Sequence, residues 1–174
     1  AIRELDTLQA LKGERLFVEV PEFIRDYVKE YGNEKLYGVF RKHGITAPGE
    51  KLTAIRNQTR GRGIKVDVFL DLLESNGQFD GQGYAASATI GGKKRADRLP
   101  ARLEMTEEFL QLTGYYLAEG NSQRGYFVLA NREPSIRSQI ENSLAQLGIP
   151  YFVRNSSDFQ VSSTALTRLF KRLC

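Results

Sequence analysis

The chain has 174 residues, 41% of them hydrophobic, with a formal net charge of +4: enough for one medium domain or two small ones, with a mild basic excess that suits a polyanionic partner. The single cysteine, Cys174, excludes an internal disulfide and a thiolate zinc site, and the single histidine, His43, excludes a multi-histidine metal centre. No apolar run approaches membrane-spanning length and no signal peptide is visible, so a soluble cytoplasmic protein with no membrane partner is expected.

Residues 1–75 read as a small, mostly helical domain. Leu16 to Val20 alternates like a short strand, and Pro21 suits the first turn of a helix that runs through Tyr31 and closes at Gly32. Asn33 caps a second helix with Leu36, Val39 and Phe40 inward; it ends at Gly44, which leaves His43 as an expected surface residue. Ile45 to Gly49 reads as a turn, Glu50 to Gln58 as a third helix, and Thr59 to Gly63 as a basic, glycine-broken loop. Asp67 is the expected cap of a last helix, Val68 to Leu73. Short helices on tight turns, with arginine and Asn57-Gln58 on the third, fit a helix-turn-helix DNA reader. On that reading Arg56 and Asn57 address base edges, while Arg60, Arg62 and Lys65 contact phosphate. The plainer alternative is a small helical domain with a solvated basic face.

Residues 76–97 are rich in Gly, Ser and Ala and read as a linker or loose hairpin, with one strand over Tyr84 to Ile90. Phe79-Asp80-Gly81 reads as a turn. Lys93, Lys94, Arg95 and Arg98 form a second basic group, and Arg168, Lys171 and Arg172 a third.

The most informative stretch is Thr106 to Asn121, TEEFLQLTGYYLAEGN. Thr106 is a good N-cap, and Glu107 and Glu108 sit where the positive helix end favours acids. Phe109, Leu110, Leu112, Tyr116 and Leu117 recur at helical spacing. Gly114 and Ala118, four apart, make a small-residue seam that lets another backbone approach. The helix is expected to stop at Glu119-Gly120, with Gly120 in a left-handed cap. A carboxylate at a helix C-terminus adds its charge to that of the uncapped carbonyls, an oxygen-rich corner suited to a hard divalent cation.

Leu112-Thr113-Gly114-Tyr115-Tyr116-Leu117-Ala118-Glu119-Gly120 resembles the LAGLIDADG motif of homing endonucleases, particularly those carried in archaeal inteins. Arg98-Leu99-Pro100 and the acidic turn before Phe109 resemble the usual lead-in. The likeness is good over residues 98–174 and weaker over 1–92. Thr113 stands where the name has alanine, and Glu119 where it has aspartate; the family accepts Glu there.

After Gly120, residues Gly125 to Asn131 alternate as a strand, and Pro134 opens a helix through Leu147 that closes at Gly148. Tyr151 to Arg154 and Asp158 to Ser162 pair across Asn155-Ser156-Ser157. Ser163 or Thr164 caps a final helix with Leu166, Leu169, Phe170 and Leu173. On the last strand Phe159 and Val161 face one way, and Asp158, Gln160 and Ser162 the other. A polar strand face of this kind can lie in the major groove; the commoner outcome is an ordinary solvent-exposed sheet. Lys93, Lys94, Arg95, Arg124, Asn155, Gln160 and Ser162 are accordingly candidate DNA contacts. The expected fold class is α+β: a helix–strands–helix–strands–helix half over 98–174, preceded by the small helical domain.

The resemblance implies that two such helices pack through Leu110, Gly114, Leu117 and Ala118, bringing two acids together over double-stranded DNA. It implies Glu119 as catalytic residue and Mg²⁺ ligand, with the Ala118 carbonyl assisting and Gly120 completing the motif. Only one such helix is present. Either two copies form a homodimer or a second LAGLIDADG half follows in a longer chain. The second option is favoured, because in inteins a similar half follows at about this point. Ala1 offers no side-chain nucleophile and no His-Asn pair closes the C-terminus, so an intein source would contribute its endonuclease and not its splicing part. The expected activity is site-specific phosphodiester cleavage, weak in an isolated monomer. The rival expectations are a non-cleaving DNA-binding regulator of the same fold and an RNA maturase.

Overall fold

A computed structural model describes residues 4–20, 22–45, 63–75, 81–92 and 98–174. The chain is α+β, with every strand pair antiparallel. The third helix expected over Glu50 to Gln58, and with it Arg56, Asn57, Arg60 and Arg62, lies outside the described residues, as do Lys93, Lys94 and Arg95.

The chain opens with β1 (Glu4–Asp6) and the single turn α1 (Thr7–Ala10), whose Gln9 N–H donates to the Asp6 carboxylate. β2 (Phe17–Glu19) follows as expected. The two helices read around Gly32 form α2 (Phe23–Lys42), broken where Gly32 takes φ 78° and ψ 168°, a conformation that glycine adopts without steric cost. Phe23, Tyr27, Leu36 and Phe40 are its buried residues.

β3 (Ile64–Lys65) runs directly into α3 (Val66–Glu74), which therefore begins two residues before the expected start. The Val66 N–H donates to Leu16 O, so strand pairing fixes the point of entry. Asp67 consequently sits inside the first turn and is not the cap. Its carboxylate accepts from the Gly13 N–H at 2.7 Å and anchors the α1–β2 loop.

The expected strand over Tyr84 to Ile90 is divided. Residues 81–87 form α4 (Gly81–Ser87), and only Thr89–Gly91 is a strand, β4. Tyr84 decides this. Its ring packs edge-on against Phe23 at 5.2 Å, and its hydroxyl donates to Asp26 at 2.7 Å. The linker reading fails for residues 81–92, because β4 is an inner strand of the sheet β3-β2-β4-β5.

β5 (Arg98–Pro100) pairs with β4, and β6 (Arg102–Glu104) pairs with β1. Strand pairing thus crosses the division drawn between residues 75 and 98. The same interleaving recurs at the C-terminus. Glu14 is ion-paired with Arg168 at 3.6 Å and Arg172 at 3.4 Å, and Arg172 also donates to Lys12 O. The third basic group is therefore partly an intramolecular tie. Arg98, of the second group, is mostly buried and paired with Glu19 at 2.9 Å.

From Thr106 onward the helix–strands–helix–strands–helix order is the one expected. α5 (Glu107–Glu119) is capped by Thr106, whose side chain accepts from the Phe109 N–H. β7 (Gly120–Gln123) and β8 (Tyr126–Ala130) lead to α6 (Pro134–Gln146), which has proline in its first turn and Gly148 at φ 64° beyond its end. β9 (Phe152–Arg154) and β10 (Asp158–Val161) form the hairpin, turning through Asn155 and Ser156 at positive φ. Ser163 caps α7 (Thr164–Leu173) by accepting from the Leu166 N–H.

The second sheet has the order β7-β8-β10-β9. Phe127, Leu129, Phe159 and Val161 are wholly buried on one face, against helices that contribute Phe109, Leu112, Ile140, Leu144, Leu166 and Phe170. Phe170 stands at the centre, 4.8 Å from the Tyr116 ring and 5.2 Å from that of Phe127. Burying an aromatic or aliphatic side chain of this size stabilises by about 1.5–3 kcal/mol, so this cluster fixes where α5 lies on the sheet. No described helix is long and apolar enough to cross a membrane.

Candidate functional site

Three sides of α5 have three different fates. Phe109, Leu112 and Tyr116 enter the core. A second side meets α6: the Tyr115 hydroxyl donates to Gln139, and the Ser143 hydroxyl to Gln111 at 3.3 Å. The third side carries Leu110, Gly114, Leu117 and Ala118, and all four are exposed. Leu110 is 53% exposed and Leu117 63%, both high for leucine, and no atom lies within 4 Å of the place a Gly114 side chain would occupy. The residues expected to make a helix-packing seam thus form a bare apolar stripe.

The helix ends differently from expectation. Gly120 is not left-handed; at φ −78° and ψ 133° it is the first residue of β7. Glycine is required there for space. A side-chain carbon at Gly120 would lie 2.2 Å from the Tyr116 carbonyl oxygen and 2.6 Å from its ring. The chain therefore passes from helix to strand without a connecting loop. The Gly120 N–H still bonds Tyr116 O, but the Leu117, Ala118 and Glu119 carbonyls have no helical partner four residues on, since those positions are strand.

Glu119 is exposed and, among the described residues, makes no hydrogen bond or ion pair. It lines a cleft of about 400 Å³ together with Ala130, Asn131, Arg132, Glu133, Ser157 and Asp158. Two of these acids are already engaged: Ser157 donates to Asp158 at 2.8 Å and Ser135 to Glu133 at 2.6 Å. Arg132 is exposed and makes no ion pair among the described residues. One free carboxylate and the Ala118 carbonyl are too few oxygens for a divalent ion. No group of three Asp, Glu, His or Cys able to hold a metal occurs among the described residues. The donor set fits Mg²⁺ only if a second acidic tip completes it.

The register of the β7-β8-β10-β9 sheet places the other candidates. Its outer face carries Asn121, Gln123, Tyr126, Val128, Ala130, Phe152, Arg154, Asp158 and Gln160. Arg124, in the β7–β8 turn, and Asn155, in the β9–β10 turn, are exposed at opposite ends of the sheet. The Asn155 end is also the Glu119 end, because Gly120 pairs with Leu129 and Asp158 with Ala130. Arg124 and Arg154 are exposed and form no ion pairs among the described residues. Ser162 is exposed, but Gln160, expected on a free polar face, is only 8% exposed between its cross-strand neighbours Val128 and Phe152. Lys65 is exposed on an edge strand of the other sheet, apart from this group.

Sequence reading missed Asn131, Arg132, Glu133 and Asp158 as neighbours of Glu119. The β7–β8 pairing, with Gly120 opposite Leu129, brings residues 131–133 beside Glu119, and the β8–β10 pairing, with Asp158 opposite Ala130, brings Asp158. His43 was also misplaced. It is part-buried, and its ring shares Asp71 with Lys42 at 2.8 and 2.7 Å. The Lys42 ammonium first, then His43, holds the Asp71 carboxyl below its usual range. Comparison with known families finds no family model that matches the chain, and no curated protein matches it.

Proposed function

We propose that the chain is one half of a LAGLIDADG-type DNA endonuclease. It binds duplex DNA on the outer face of the β7-β8-β10-β9 sheet and pairs through α5 with a second half, supplied by another copy or a longer chain. The observation that carries this reading is the exposed stripe Leu110, Gly114, Leu117 and Ala118, on the same helix that ends in the unengaged Glu119. An apolar stripe of that exposure gains by being covered, and glycine at its centre lets a second helix come close. The unpaired Arg124, Arg132 and Arg154 around the outer sheet face favour a polyanion.

In this reading Glu119 and the carbonyls at the helix end, which lack helical partners, gather negative charge at the scissile phosphate. Glu119 and the Ala118 carbonyl, with the matching tip of a second half, would hold a divalent cation, which would supply water activation and charge neutralisation there. The arginines hold the phosphate backbone in register. Replacing Glu119 by Gln keeps size and removes charge. The Glu119→Gln chain is expected to retain DNA affinity at fixed salt while losing cleavage by two or more orders of magnitude. Unchanged cleavage would remove Glu119 from the mechanism. If neither form cuts DNA at any protein concentration, even with a second half supplied, the chain is a non-cleaving binder, and preference for folded RNA over duplex at matched salt would identify a maturase instead.

A further inference from the structure

Gln160 stands out among the polar groups of the second sheet. It lies on the inner strand β10 and is 8% exposed, and its Oε1 is buried with no hydrogen-bond partner. Its only polar contact among the described residues is Nε2 donating to the Ser162 hydroxyl at 3.4 Å, long for such a bond. A buried amide oxygen without a donor costs free energy that a hydrocarbon side chain would not, so folding gains nothing from a glutamine there. Turning the amide over would only exchange the unpaired oxygen for an unpaired NH₂.

The surroundings indicate what the amide is suited to meet. Val128 and Phe152 flank it in register, and Phe152 is 49% exposed on the edge strand β9. Asn121 lies in the same cross-strand row, beyond Val128. Moving the amide outward past Phe152 would forfeit one weak hydrogen bond and no other polar contact. A ligand that pays back both ends of an amide must present a donor beside an acceptor. In the major groove adenine does this with N6–H and N7; guanine offers two acceptors there, and cytosine only a donor. A neighbouring thymine methyl would also find apolar contact on Phe152.

We propose that Gln160 is a specificity-determining residue that reads one adenine in the major groove, with Phe152 as the apolar wall beside it. This rests on the DNA-binding reading above and goes beyond it by naming the base that Gln160 selects and the apolar wall beside it. The test is selection of binding sites from a random duplex pool by the 174-residue chain and by its Gln160→Met and Gln160→Glu variants, at one stated salt concentration. The parent chain is expected to select a site with adenine at one position. Gln160→Met should lose preference there by about 5- to 150-fold, the span of one base-edge contact, and keep it elsewhere. Gln160→Glu, which can only accept, should shift that position towards cytosine. Thermal unfolding guards against misfolding as the explanation. Gln160→Met removes an unsatisfied group, so its melting temperature should equal or exceed the parent's. Identical selected sites for the parent and a folded Gln160→Met would overturn the proposal while leaving DNA binding intact. Failure of the parent chain to select or bind any duplex would overturn the DNA-binding reading itself.

Discussion

At Gly120 a single missing side chain decides the geometry of the candidate site. The position was legible as a glycine requirement, but for the wrong reason. Its backbone is ordinary extended chain, and what excludes larger residues is the Tyr116 carbonyl 2.2 Å from the would-be Cβ. Alanine there must push the first residue of β7 away from the helix end, carrying Glu119 with it. Gly120→Ala is expected to destabilise the fold by about 1–3 kcal/mol, the usual cost of forced overpacking. Chemical denaturation would measure this. A change below about 0.5 kcal/mol, the range of neutral surface substitutions, would show that the helix-to-strand passage can relax.

Among the elements, α5 shows how far a pattern can be read. Its N-cap and its helical spacing all lie within thirteen residues, and both are found in the fold. The spacing alone did not separate the apolar positions into those covered and those bare. Phe109 and Tyr116 meet Phe170 in the core and Leu112 is buried there, whereas Leu110 and Leu117 stay more than half exposed. The proposed helix pairing makes a sharp demand on this element. Leu117→Lys should leave stability within about 0.5 kcal/mol, because the side chain is mostly in solvent. The same change should abolish self-association in sedimentation experiments, and cleavage with it. Unaltered association by a folded Leu117→Lys chain would direct attention to another face.

For the whole molecule, long-range ties matter more than the linear division into segments. Glu14 reaches Arg168 and Arg172, β1 pairs with β6, and β5 completes a sheet begun at β2. The link from Lys42 and His43 to Asp71 joins the end of α2 to α3. This one makes stability depend on pH. The folded Asp71 carboxyl titrates below the usual value, chiefly through the Lys42 hydrogen bond and then that of His43. A depressed carboxyl pKa contributes stability that is fully present above the unfolded pKa of about 3.9. That stability is lost as pH falls through the folded value. Asp71→Asn should therefore lower stability at pH 7 and flatten the acid limb of the stability profile, as followed by urea unfolding at several pH values. Parallel profiles for the two proteins would mean that the pair contributes nothing to folding.

The amino-acid sequence by itself determined the α+β class, most helix and strand positions after Thr106, and the helix that ends in Glu119. Those features rest on capping, periodicity and turn chemistry, which act within a few residues of chain. Tertiary structure alone decided the rest. It drew β4 from an apparent linker into a sheet, buried Gln160 between Val128 and Phe152, and paired Arg98, Arg168 and Arg172 with acids. It also left Leu110 and Leu117 bare. These outcomes depend on which distant segments meet, and that is set by packing and strand pairing across the chain, for which local spacing holds no record.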